Sequence, residues 1–179
     1  MVRNRLLNGS FEADLMEPWI SLNGTIITDA SHSGFQAVHL PGEVINSYVC
    51  HLIPAAPDES FGLSVALTKT SSSPAPPMTL AINYYDSAFN FIGYGLITHV
   101  EVDRIPVIEN NTWMRVYHTS TPAPENTAQA LVLVNTLPAE GAADIIVDDI
   151  ALLTVEALGL AQPVHRVPQE PLGQWAQQE

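Results

Sequence analysis

The sequence predicts an all-β fold, an antiparallel β-sandwich of two packed sheets of jelly-roll type, followed by an extended Pro/Gln-rich C-terminal tail. Three observations carry this. The 14 prolines are scattered along the 179 residues and interrupt helices of ordinary length. Between them lie short runs rich in Val, Ile, Thr, Tyr and Leu, punctuated by Gly, Asn, Asp and Ser. Several runs alternate with the period of a half-buried strand.

Strands are expected near residues 18–29, 36–40, 45–53, 60–70, 78–86, 94–102, 113–120, 128–136 and 144–155. The first and the seventh carry Trp19 and Trp113, both expected in the core. The third includes the apolar run Tyr48 to Leu52, in which the lone Cys50 reads as a buried structural thiol and no intrachain disulfide is available. In the fourth, Phe61, Leu63, Val65 and Leu67 share one face, while Gly62, Ser64, Ala66 and Thr68 share the other. Residues 71–77 form a stiff polar connection because proline fixes φ. Ala128 to Val134 is nearly continuous in apolar residues, as expected of a central strand covered on both faces. The sandwich is expected over residues 1–157 and the tail over 158–179.

Hydrophobic residues make up 46% of the chain and charged residues 14%, which suits one buried core and argues against a disordered chain. The balance of 6 Lys+Arg against 19 Asp+Glu gives a net charge of -13, which repels phosphate backbones and anionic lipid headgroups but favours cations. Nucleic acid and membrane are therefore poor partners. The opening MVRNRLLNGSFE lacks the apolar stretch of a secretory signal, so the protein is expected to be made in the cytoplasm without a signal peptide.

No GxSxG, HExxH, CxxC or phosphate-cradling glycine loop occurs, and the histidines are widely spread, so no catalytic residues are assigned and the chain is read as non-enzymatic. His39, His51 and His99 read as surface strand residues.

Two constellations remain. NGSFE at 8–12 and VDDI at 147–150 bring Glu12 and the pair Asp148-Asp149 together if the first and last strands are neighbours. Such oxygen ligands suit Ca²⁺; the competing reading is a turn at Asn8-Gly9 and an Asp148 that caps a strand end by hydrogen bonding. The aromatic block from Tyr84 to Tyr94 is the second. Tyr84, Tyr85, Asp86, Asn90 and Tyr94 combine ring faces with polar groups, as a glycan site requires; the competing reading is a β-hairpin turning at Asp86 to Asn90 with its aromatics divided between core and subunit contacts.

NGSFE, Trp19, SHSGFQAVHL at 31–40 and the closing VDDI resemble the galactose-binding-like β-sandwiches, which include many carbohydrate-binding modules. That resemblance implies one structural Ca²⁺ at Glu12 and Asp148, with Asp149 as the less certain neighbour. RNRLLNGSFE, INSYV at 45–49, YYDSAFNFIGYGL at 84–96, QALVLVNTLP at 129–138 and ADIIVDDIALL at 143–153 are also similar to spore-surface domains that often precede collagen-like Gly-X-Y tracts in spore-forming bacteria. No such tract follows here. The resemblance implies a self-assembling structural protein of the exosporium or parasporal body, its partners being its own copies, other spore-surface proteins or a glycan, with a carbohydrate-binding module as the alternative. The tail alone cannot bury enough surface to order itself, so it is expected to dock on a neighbouring copy through Trp175, with Val164, Val167 and Leu172 extending the contact; the competing reading is that it folds back on its own sandwich.

Overall fold

The structure, a computed structural model, describes residues 3–155. Among them ten strands run in chain order: β1 Ile20–Leu22, β2 Thr25–Ile27, β3 Ala37–Leu40, β4 Ser47–Pro54, β5 Ser60–Lys69, β6 Met78–Tyr85, β7 Phe91–His99, β8 Met114–Thr119, β9 Gln129–Thr136 and β10 Ile145–Val155. They form two five-stranded sheets, ordered β1-β4-β9-β6-β7 and β2-β3-β10-β5-β8, with every pairing between strands antiparallel. The expected sandwich is present. The proposed boundary at 157 and the tail residues Val164, Val167, Leu172 and Trp175 lie outside the described residues.

The core lies between the sheets because each strand turns alternate residues inward. Phe61, Leu63, Val65 and Leu67 of β5 face Leu80, Ile82 and Tyr84 of β6 and Val132 and Val134 of β9 across one continuous apolar cluster. Phe11 and Trp19 close one end, their rings 5.5 Å apart.

The structure corrects four expectations. Residues 18–29 are two strands, not one: Asn23 takes φ 57°, the Ser21 hydroxyl donates to the Gly24 carbonyl at 3.0 Å, and the chain turns from the first sheet into the second. Strand β9 is central but covered on one face only; Ala130, Val132 and Val134 point inward, while Leu131 and Leu133 stay half-buried on the outside. His51 is buried against Trp19, ring centroids 5.1 Å apart, and burial lowers its pKa, so it is a neutral core group. Trp113 precedes β8 and is only half-buried, its edge against His32.

β10 changes partners along its length. Its first residues, 145–147, pair with β3, and beyond a bulge at Asp148–Asp149 the N-terminal segment takes over, with Arg5 N–H donating to Leu152 O and Ile150 N–H to Gly9 O, each at 2.8 Å. Only glycine fits at position 9, since a Cβ there would sit 1.9 Å from the Ile150 carbonyl oxygen.

Leu152, fully buried beyond the bulge, is expected to cost about 2–5 kcal/mol on truncation to Ala, whereas Leu7→Ala, at a side chain 68% exposed, should stay within about 0.5 kcal/mol. Urea denaturation of the two variants measures both.

Candidate functional site

The outer face of the first sheet is built by strict alternation. β6 directs Thr79, Ala81, Asn83 and Tyr85 outward, opposite Asn135, Leu133, Leu131 and Gln129 of β9. On the other side the same four residues of β6 stand opposite His99, Ile97, Tyr94 and Phe91 of β7. Tyr48, Cys50 and Leu52 of β4 and Ile20 and Leu22 of β1 complete the face. None of these outward positions carries Asp, Glu, Lys or Arg.

Two features make this face unlike an ordinary solvated sheet. Tyr85, Phe91 and Tyr94 form a chain of edge-to-face contacts, with centroids 5.9 Å and 4.8 Å apart, and Phe89 joins Tyr85 at 6.4 Å. Phe89, Phe91 and Tyr94 are each about half exposed. The side-chain oxygens of Asn83, Gln129 and Asn135 are buried with no hydrogen-bond partner among the described residues. As whole side chains the three amides are half-buried, so the face sets polar groups beside its rings.

The aromatic block is thus partly a site and partly scaffold. Tyr84 is a correction: it is fully buried in the core, its hydroxyl donating to the Thr121 carbonyl at 3.0 Å and lying 3.1 Å from Ser120 Oγ. Gly95 makes room for its ring. Asp86 and Asn90 build the hairpin turn. Asp86 Oδ1 accepts from the N–H groups of Ala88 and Asn90 and Oδ2 from the Asn90 side-chain amide, each at 2.9 Å, and those bonds hold its carboxyl below the usual range. Tyr85 and Tyr94 remain on the outer face. Sequence reasoning missed Asn83, Gln129 and Asn135; the available signal was an amide at an outward position of an otherwise apolar strand.

Glu12, Asp148 and Asp149 converge on the loop 31–36, each carboxylate by its own contacts. Glu12 Oε1 accepts from the N–H groups of Phe35 and Gln36 at 2.8 Å. Asp148 Oδ2 accepts from those of His32 and Ser33 at 2.7 and 3.0 Å, and Oδ1 from Asp149 N–H. Asp149 meets the His32 ring and receives the Ser33 hydroxyl, with Arg115 3.5 Å away. These are loop clamps. As cation ligands, the Asp148 oxygens are already engaged by N–H groups, and no metal-holding cluster of three His, Cys, Asp or Glu occurs among the described residues.

Clefts of about 410, 320 and 500 Å³ open beside Phe35, between β7 and β8, and between the N-terminal segment and Asp149. None is lined by the three unpartnered amides.

No protein-family model and no curated protein matches the chain. Solved structures match its fold. One is the enzymatically active domain of bacteriophage CBA120 tailspike protein 4, at 15% identity and TM-score 0.65 over 85% of this chain; the chain spans 21% of that protein. A family 16 carbohydrate-binding module matches at 17% identity and TM-score 0.64, over 86% of this chain and 100% of the module. The TmCBM61 module solved with β-1,4-galactotriose matches at 16% identity and TM-score 0.58, over 86% of this chain and 99% of that one. At these identities the likeness establishes the two-sheet β-sandwich fold alone.

Burial pushes the Asp148 carboxyl up to about 6, against the pull of its three N–H bonds. A raised carboxylate pKa means the folded state holds the proton more tightly, so this group's contribution to stability declines as pH rises from about 4 to about 6 and is constant above. In chelator, wild type should therefore lose ground to Asp148→Asn by up to about 3 kcal/mol between those limits, read from denaturant unfolding at each pH.

Proposed function

We propose that this chain binds a glycan on the outer face of its first sheet, with Tyr85, Phe91 and Tyr94 stacking on sugar rings and Asn83 and Gln129 bonding to hydroxyls. The observation that carries this reading is the coincidence, on one uncharged face, of exposed aromatic rings and half-buried amide side chains. Sugars are amphipathic in the matching way: their C–H faces pack on rings and their hydroxyls hydrogen-bond to polar side chains beside those rings. The fold neighbours that bind galactotriose or xylan by their own descriptions support it. They favour glycan binding over envelope assembly, the role that the spore-surface resemblance implied and for which neither fold nor comparisons add support.

The Ca²⁺ expected at Glu12, Asp148 and Asp149 stays part of the proposal as a structural cation. It would bridge the loop 31–36 to β10 and supply no chemistry to the ligand face. Because only the folded chain offers the site, Ca²⁺ should raise the melting midpoint relative to EDTA; an unchanged midpoint leaves the carboxylates as hydrogen-bonded clamps alone.

Affinity electrophoresis and calorimetry with soluble β-1,4-galactan and xylan test the binding reading. Tyr94→Ala and Asn83→Ala are each expected to weaken association roughly tenfold or more while leaving the fold intact. A wild-type chain that binds neither polysaccharide, or variants that bind as well as wild type, would refute it.

A further inference from the structure

On the reading that this face binds a glycan, we infer that its ligand is an uncharged, extended chain held at two polar stations, and that Asn135 with Thr79, Tyr48 and His99 forms the second. The first station is the aromatic group with Asn83 and Gln129. Asn83 and Thr79 are four residues apart on β6 and Gln129 and Asn135 six apart on β9, which places the nearest groups of the two stations about 13 Å and the farthest about 20 Å apart along the strands. Thr79 stands opposite Asn135 on β6, His99 beyond it on β7, and Tyr48 on the other side on β4. Asn135, Thr79 and Tyr48 are half-buried and His99 exposed, so this end of the face offers polar side chains to a ligand.

Between the stations the outward residues are Cys50, Ala81 and Leu133, all apolar, with Cys50 and Ala81 buried. This stretch offers contact area and no hydrogen bonds. A ligand that satisfies both ends must cross it, which a single sugar ring cannot do.

The charge of the ligand follows from what the face lacks. A carboxylate-bearing chain is held best by Arg or Lys partners, and no outward position of this face carries either. Among the described residues Arg5 pairs with Glu59 at 2.7 Å and Lys69 donates to the Ser73 carbonyl at 2.8 Å, while Arg104, paired with Glu101 at 2.9 Å, and Arg115, beside Asp149, line the cleft that His99 borders at the edge of the face. With a net charge of -13, the chain repels polyanions at long range as well.

Calorimetric titration with β-1,4-galactan tri- and hexasaccharides, β-1,4-xylan oligosaccharides of the same two lengths and polygalacturonate oligosaccharides tests the inference on wild type and Asn135→Ala, each checked for an unchanged melting midpoint. The hexasaccharide of a neutral series should bind at least roughly tenfold more tightly than its trisaccharide, and Asn135→Ala should remove most of that gain while leaving the trisaccharide unaffected. Equal affinity for both lengths, a hexasaccharide indifferent to Asn135→Ala, or preference for polygalacturonate would overturn the inference and leave glycan binding standing. Binding of none of the three series would overturn the glycan reading with it.

Discussion

The bulge at Asp148–Asp149 is the constraint around which the second sheet is organised. A regular strand of that length would need one continuous neighbour on each side. By inserting an extra residue, with Asp149 at φ 47°, β10 keeps β5 throughout on one side and exchanges β3 for the N-terminal segment on the other. The same two aspartates then reach the loop 31–36 and take up N–H groups that have no strand to pair with. N-terminal segment, last strand and loop are thereby locked through one short stretch. The cost is a desolvated carboxylate, tolerated because three N–H donors surround it.

With the second sheet committed to closing the fold, the first is free to present a surface. Its inward side is ordinary core. Its outward side carries Leu131, Leu133, Ile97 and Ile20 without a layer over them and leaves amide oxygens unpaired among aromatics. Each of these choices costs stability or solubility, and a sheet evolved only to fold would place charged residues there. Among the described residues Asp and Glu lie in loops and on the other sheet, so the face is hydrophobic and neutral within a strongly anionic molecule.

The fold neighbours differ from the chain at more than four positions in five. Fold likeness at that distance transmits architecture, not ligand identity. The functional argument therefore rests on side chains that can be named: rings at 85, 91 and 94 and amides at 83, 129 and 135. The longer motif matches that suggested a spore envelope include residues that build strands and turns here, such as the Asp86 turn and the β10 bulge.

Much of the fold was legible in the sequence because period-two alternation and proline punctuation are local properties. β5 could be read residue by residue, and the turn at Asp86 to Asn90 follows from the chemistry of an Asp side chain meeting backbone N–H groups two and four residues on. Glu12 and Asp148 were legible as a pair because chain ends so often meet in a sandwich, though what each would grip was not. Tertiary structure alone decided which face of a strand meets the core. That choice put Tyr84 inside and Tyr85 outside, turned an apolar β9 into a half-exposed one, and split residues 18–29 between two sheets. It also gathered Asn83, Gln129 and Asn135, from two strands separated by more than forty residues, onto one face. An amide's partners, or their absence, come from its neighbours across the sheet, and sheet order is a property of the folded chain rather than of any segment.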